Sequence, residues 1–132
     1  MQKIEASVNL VLSVLSETFT IHKLSPDLSI PEEILKSNYY SVTKTDNELS
    51  LVCAQIIEVQ SLQSSKGWKC IKVKGPLDLN LTRILASISD ILRKTNISIF
   101  AISTFDTDYI LVRTHDLSSA TTKLGQAGYK FE

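Results

Sequence analysis

The sequence has few of the residues and patterns that mark the common functional classes. It contains only 2 Cys, 4 Gly and 3 Pro in 132 residues, and its 14 basic and 14 acidic side chains cancel. The basic residues are spread among the acids and form no stripe, so nothing in the charge pattern supports nucleic-acid binding. Glycine-rich phosphate loops, nucleophile elbows, dinucleotide fingerprints and paired-histidine metal motifs are all missing. We therefore expect a protein that is not an enzyme, with no catalytic residues, no metal and no cofactor.

The cysteines and histidines are too isolated to suggest a reactive site. Cys53 and Cys70 lie in apolar, strand-like runs without Cys-x-x-Cys spacing, which favours buried free thiols over a disulfide or a metal pair. His22 and His115 lie far apart, and neither has an acid or a thiol at the spacing of a catalytic triad. We expect each histidine at a surface or an interface.

Long hydrophobic segments are also absent. The longest apolar run, residues 8–15, is too short to cross a bilayer. The first five residues carry mixed charge, and no small-residue cleavage site follows, so a signal peptide is not expected. These features predict a cytoplasmic protein without a membrane partner.

The second half of the chain shows a clear order of secondary structure. A strand is predicted at 68–74, a helix from residue 81, strands at 97–104 and 109–113, a helix after Asp116 and a short strand at 129–131. The first helix is indicated by apolar residues at the spacing of a helix packed on a sheet, namely Leu81, Ile84, Leu85, Ile88, Ile91 and Leu92. Asn80 and Asp116 are N-cap candidates, whereas Asn96 and Gly128 are expected to end the two helices.

The first half repeats this order loosely. Two strand-like runs, 8–15 and 19–24, suggest an opening hairpin, and Pro31 can begin a short helix. A hairpin signal lies at 45–47, a short helix is predicted at 54–62, and 63–67 is a polar linker. With right-handed crossovers, the order predicts an α+β fold of two tandem ferredoxin-like (βαββαβ) units, 1–63 and 64–132, each an antiparallel sheet with helices on one face.

The segment 97–113 contrasts most sharply with its surroundings. A polar corner, Ser103-Thr104-Phe105-Asp106-Thr107-Asp108, separates two strongly apolar runs, and Phe100 and Ile102 are expected in the core. Such a corner needs partners for its hydroxyls and carboxylates. Turn chemistry can supply them, since Asx residues commonly accept hydrogen bonds within their own turn. A small polar ligand could supply them too, and both readings of Asp108 remain open, whereas Asp106 is expected to be a solvated turn residue.

The residues also resemble a known family. The resemblance rests on three stretches of sequence. They are Gly75-Pro76-Leu77-Asp78, then Ile102-Ser103-Thr104-Phe105-Asp106-Thr107-Asp108-Tyr109-Ile110-Leu111-Val112, and Tyr39-Tyr40-Ser41-Val42-Thr43 in the first half. Together they resemble the tandem two-unit ACT-domain proteins, which are related to the CASTOR-type arginine sensors. Those modules are regulatory, and they usually bind amino acids between ACT units, often across a dimer.

The resemblance implies a set of ligand contacts in this chain. They come from the loop that opens the first helix of the second unit, from the start of the next strand and from the corner after it. The implied ligand-binding residues are Leu81, Ser98, Ile99, Thr104, Phe105 and Asp108. Related sensors have an acid where this chain has Leu81 and a glycine where it has Arg83.

Two functions therefore follow as expectations. The first is a sensor or regulatory module, a homodimer that binds an amino acid or a similar small polar ligand between its ACT units and signals to a downstream regulatory protein. The second is a protein–protein interaction module with a degenerate, ligand-free ACT site, which Leu81 and Arg83 favour.

Overall fold

The computed structural model describes residues 10–74 and 83–132. Within them it has a mixed α+β fold with an open sheet and few helices. The strands are β1 (Val11–Val14), β2 (Phe19–Leu24), β3 (Ser41–Lys44), β4 (Leu49–Ala54), β5 (Gln63–Val73), β6 (Ile99–Ser103), β7 (Asp108–Arg113) and β8 (Lys130–Phe131). The helices are α1 (Glu32–Leu35), α2 (Arg83–Lys94) and α3 (Leu117–Gln126), with a 3-10 turn at Thr114–Asp116.

The chain divides into two compact units that differ from the predicted halves. One is continuous, Ser16–Trp68, and we call it the inserted unit. The other combines the segment up to Leu15 with Lys69–Glu132, and we call it the discontinuous unit. Strand pairing explains why the observed units differ from the predicted halves. β1 pairs with β5 and β8, whereas β2 pairs with β4 and β5. The expected hairpin between the first two strands is therefore wrong, and the predicted division at 63/64 differs from the one observed.

The discontinuous unit has the strand order β6-β7-β5-β1-β8. β1 runs antiparallel to β5 with Leu12 opposite Val73, and β8 runs parallel to β1. From β5 onward the elements follow the predicted order of strand, helix, strand, strand, helix, strand. The core contains Leu12, Ile71, Val73, Ile84, Ile88, Leu92, Ile97, Ile110, Val112, Ala120, Leu124 and Tyr129.

Both helices of this unit end as the sequence predicts. After α2, Asn96 adopts a left-handed conformation (φ 61°), and the Ile97 N–H donates to the Leu92 carbonyl at 3.0 Å. This bond satisfies a carbonyl that the end of the helix would leave without a partner. Gly128 (φ 109°) follows α3, and the Tyr129 N–H donates to Leu124. Asp116 occupies the predicted N-cap position of α3, but its side chain makes no capping hydrogen bond. The predicted cap Asn80 lies outside the described residues.

The inserted unit has the strand order β3-β4-β2-β5, with the short helix α1 burying Ile34. Its core contains Leu24, Ile34, Leu49, Leu51, Cys53, Ala54 and Ile57. The helix predicted at 54–62 is wrong, because β4 continues to Ala54 and an irregular segment follows. Each end of that segment is tied to β2 or its flank, since the Gln55 N–H donates to Thr18 and the Leu62 N–H donates to Lys23, both at 2.8 Å. These tertiary bonds fix an irregular backbone where local propensity alone would permit a helix.

Candidate functional site

The predicted polar corner is a four-residue turn between β6 and β7. The Thr104 N–H donates to the Thr107 carbonyl at 2.8 Å, and the Thr104 hydroxyl donates to the same carbonyl at 3.1 Å. The Thr104 hydroxyl also accepts from the Thr107 N–H at 3.2 Å. Turn chemistry therefore uses the Thr104 side chain inside the corner.

Thr107 anchors the turn to the sheet of the discontinuous unit. Its side chain is buried, with 6% of its surface exposed, and its hydroxyl donates to the Val73 carbonyl at 2.6 Å. A buried hydroxyl without a partner would be costly, so this bond fixes both the side chain and the turn. Thr107 holds the neighbouring predicted contacts in place, a role that the sequence did not reveal.

Asp108 forms a side-chain pair with Ser103 at the last register position of β6 and β7. The Ser103 hydroxyl donates to Asp108 Oδ1 at 2.6 Å. The half-buried carboxylate thus has a hydrogen-bond donor from across the strands. The residues at the tip of the turn are exposed, and Phe105 shows 79% of its surface to solvent.

The same turn chemistry occurs in the inserted unit between β3 and β4. The Thr45 N–H donates to the Glu48 carbonyl at 2.9 Å, and the Thr45 hydroxyl accepts from the Glu48 N–H at 3.1 Å. Thr45 and Thr104 therefore occupy equivalent positions in two hairpins. The predicted hairpin signal at 45–47 is confirmed by this turn.

Two other predicted contacts lie at the opposite end of β6. Ser98 and Ile99 line a cleft of about 450 Å³. The rest of its lining comes from the end of α2 and the residues after it, namely Ser89, Arg93, Asn96 and Ile97. The Arg93 guanidinium donates to Asp90 at 2.6 Å, and hydrogen bonds from Arg93 and then Lys94 lower the pKa of the Asp90 carboxyl.

The structure thus separates the predicted contacts into two groups. Ile99 and Ser103 begin and end β6, and about 3.3 Å per residue places those ends roughly 13 Å apart. Ser98 and Ile99 belong to one end, and Thr104, Phe105 and Asp108 to the other. Leu81 lies outside the described residues.

β6 itself is an edge strand with an apolar sequence. It pairs with β7, and among residues 10–74 and 83–132 no second strand pairs with its other side. Phe100 and Ile102 were expected in the core, but both are only half-buried. Ala101 between them is exposed. Unprotected apolar edges favour pairing with another strand.

A second cleft, which the sequence did not suggest, lies in the inserted unit. It measures about 560 Å³ and is lined by Thr20, His22, Gln55, Ile57, Glu58, Val59, Gln60, Ser61, Ser64 and Lys66. His22 is 6% exposed, so its expected place at the surface is wrong. Burial and then the nearby charge of Lys66 lower the pKa of this histidine. The alternation of Thr20, His22 and Leu24 along β2 was the available signal, since it puts them on one face of the strand.

The thiols behave as expected. Cys53 and Cys70 are both buried and free. Burial, with a smaller effect of the Glu33 charge, raises the pKa of Cys53 to about 11. Within the described residues no group of His, Cys, Asp and Glu could hold a metal ion. None of the helices in that part of the chain is long and apolar enough to span a membrane.

Comparison with known proteins identifies the family. Residues 63–126 match the ACT domain family, and residues 17–56 match a second family described as an N-terminal domain. A search of curated proteins found no match.

Solved structures extend the comparison to most of the chain. Protein Atu0741 from Agrobacterium tumefaciens is 35% identical, with 93% of this chain and 92% of that chain covered and a TM-score of 0.84. Aspartate kinase from Clostridium acetobutylicum, described as an allosteric enzyme, is 14% identical over 88% of this chain and 34% of the enzyme, with a TM-score of 0.65. E. coli aspartokinase III, solved with aspartate and ADP, is 13% identical over 88% of this chain and 32% of the enzyme, with a TM-score of 0.60. The likeness to the two kinases shows a shared fold. The chain belongs to the same family as the Agrobacterium protein, and it carries an ACT domain, a type of domain that typically serves as a small-molecule regulatory module.

Proposed function

We propose that this protein is a non-catalytic regulatory module that forms a homodimer and binds an amino acid at the interface between the discontinuous units of two copies. One observation carries the proposal. The implied contacts among the described residues lie at the two ends of β6, an edge strand whose outer side has no strand partner within the same residues. A second copy can bring the two ends together.

Antiparallel pairing of β6 with β6 of a second copy achieves this. In such a two-fold arrangement, the start of each strand lies opposite the end of the other. The register that places Ser98 opposite Thr104 of the second copy also places Ala101 opposite itself. Ala101 is small and exposed, so two copies can approach at this point without removing a core side chain.

The same register gives each remaining contact a role. Phe105 of one copy comes beside Ile97 of the other, at the cleft of about 450 Å³ that Ser98 and Ile99 line. Its exposed ring then forms an apolar wall for the ligand. Asp108 uses Oδ1 to accept from Ser103, and its other carboxylate oxygen can accept from a ligand ammonium. The family resemblance assigns Leu81 to the same pocket.

The proposal includes the finer architecture and its setting. The strand order of the inserted unit is that of a ferredoxin-like unit, and the equivalent turns at Thr45 and Thr104 support a tandem pair of ACT units related to the CASTOR-type sensors. The inserted unit lacks the second helix of that pattern. We place the dimer in the cytoplasm, with a downstream regulatory protein as its partner.

A thermal-shift screen of the twenty amino acids tests the ligand. A ligand at 100 times its Kd stabilises the native state by about 2.7 kcal/mol, which raises Tm by several degrees. The proposal predicts such a rise for at least one amino acid at millimolar concentration. No rise for any of the twenty would contradict it.

Ala101→Lys tests the interface, because it places two ammonium groups directly opposite each other in the proposed register. Like charges at opposite positions destabilise a strand pair. We expect light scattering to show a dimer for the original chain and a monomer for Ala101→Lys. Thr122→Lys is the matched control, since Thr122 is exposed on α3 and the substitution adds the same charge away from β6. Equal dimerisation of both variants would reject the β6 interface.

The alternative function, a protein-interaction module with a ligand-free site, is favoured by one observation. The Thr104 hydroxyl and Asp108 Oδ1 already have hydrogen-bond partners within the turn. For this function, the β6 edge pairs with another protein and the amino-acid screen is negative. A monomer in light scattering, together with no thermal shift, would support it, because the β6 edge is then open to another protein.

A further inference from the structure

The inserted unit has one helix, α1, and its cleft is lined in part by residues of β2 and β5. Leu24 contacts the core under α1, and His22 and Thr20 follow it at alternate positions of β2, so all three share one face of the strand. Ser64 lies opposite His22 in β5. This part of the sheet forms the floor of the cleft, and the irregular segment 55–61 supplies most of its wall.

The floor carries a buried histidine with an unmet hydrogen bond. His22 Nδ1 lies 3.2 Å from the Ser61 hydroxyl, which also lines the cleft. His22 Nε2 is buried and has no hydrogen-bond partner within the described part of the chain. Buried polar atoms in native proteins nearly always have a partner, so this nitrogen marks a position for a group that the chain itself does not supply.

Charged and amide groups line the same cleft. Lys66 and Glu58 line the cleft, and neither forms an ion pair with any other described residue. The Gln55 carbonyl oxygen Oε1 accepts from the Gly67 N–H at 2.8 Å, which fixes one side chain of the lining. The volume, about 560 Å³, lies within the roughly 300–1,000 Å³ typical of small-molecule sites.

We propose that this cleft is a second small-molecule site, which binds a carboxylic acid that also carries an amino or hydroxyl group. Its carboxylate accepts hydrogen bonds from Lys66 and from His22 Nε2–H, in the tautomer in which Nδ1 accepts from the Ser61 hydroxyl. Its amino or hydroxyl group donates to Glu58. The site is independent of the proposed β6 interface, because every residue that lines it belongs to the inserted unit.

Nuclear magnetic resonance of the His22 imidazole tests this proposal. The probes are acetate, lactate, glycine, glutamate and citrate, with inorganic phosphate included to compare anions. We expect lactate, glycine, glutamate or citrate to shift the His22 ring resonances in a saturable way. Acetate, which lacks the second donor group, is expected to bind more weakly than the carboxylate that binds best.

Matched variants locate the binding. Lys66→Met should weaken the best probe at least tenfold, whereas Lys23→Met should change its Kd less than twofold. Lys23 is exposed on β2 next to His22 and does not line the cleft, so it is a control for the loss of one positive charge. Both substitutions are at exposed positions, so folding should be unaffected. His22→Gln should also weaken the probe if the variant folds.

Three outcomes would overturn the proposal. They are no saturable shift with any carboxylate, a response to phosphate alone, and equal losses for Lys66→Met and Lys23→Met. Repeating the titration with Ala101→Lys separates this site from the β6 interface, since binding at the cleft should be unchanged. Loss of the His22 response in Ala101→Lys would be a fourth outcome that overturns the proposal.

Discussion

Replacing Thr107 with valine tests whether the polar corner is anchored as the structure shows. The substitution keeps the shape of the side chain but removes the hydroxyl that donates to the Val73 carbonyl at 2.6 Å. Because Thr107 is only 6% exposed, water cannot readily replace the lost donor. Leaving a buried hydrogen-bonding group without its partner costs about 1–3 kcal/mol. In a chain of this size, that lowers Tm by roughly 2–10 °C.

Urea unfolding followed by far-ultraviolet circular dichroism measures the effect. We expect a lower midpoint with an unchanged m value, since the surface exposed on unfolding does not change. Thr107→Ser keeps the hydroxyl and should retain most of the stability. Thr122→Val makes the same substitution at an exposed position of α3 and should change the free energy of unfolding by less than about 0.5 kcal/mol. A loss for Thr107→Val no larger than that of Thr122→Val would refute the anchoring role.

Three further predictions concern single groups. Asp108→Ala should reduce amino-acid affinity more than Ser103→Ala does. Both variants should lower apo stability by a similar amount, about 1 kcal/mol or less, because each removes the same exposed hydrogen bond. Equal affinities for both variants would show that Asp108 does not contact the ligand. Since burial and then Lys66 lower the pKa of His22 in the folded state, the unfolded chain binds a proton first as pH falls below about 6.5. Stability should therefore decrease below that pH, and urea titrations of His22→Gln should show a weaker decrease. Cys53, with a pKa of about 11, should resist a thiol reagent at pH 8 until the protein unfolds; rapid labelling of the native protein would contradict its burial.

Local sequence patterns were sufficient for much of the discontinuous unit. Ile84, Ile88 and Leu92 recur every four residues along α2, and all three are buried. Asn96 and Gly128 end their helices because each adopts a positive φ there. Alternation and capping act over a few residues, so a single sequence reveals them.

Strand partners were harder to predict because they depend on residues far apart in the chain. Val11–Val14 reads as half of a hairpin with the next strand, yet it pairs with β5 and β8. Nothing in its local pattern distinguishes these partners. The helix prediction for 54–62 is wrong for a related reason, since hydrogen bonds from the N–H groups of Gln55 and Leu62 to distant backbone carbonyls decide the conformation of this segment.

The candidate sites also differ in how much of each could be predicted from local sequence. The turn at Thr104 follows from local side-chain chemistry. Hydrogen bonding within the turn was one of the two explanations of the polar corner that the sequence allowed. The cleft around His22 needs residues from β2, from β5 and from the segment between β4 and β5. Only the three-dimensional pairing brings them together.

The central claim is that two copies pair through β6 with Ala101 opposite itself. A short bismaleimide crosslinker applied to Ala101→Cys tests this register most directly, because the two original cysteines are buried. Thr122→Cys, exposed on α3, is the control. The account predicts a crosslinked dimer for Ala101→Cys and a monomer for Thr122→Cys. A dimeric protein in which Ala101→Cys fails to crosslink, or in which both variants crosslink equally, would contradict it.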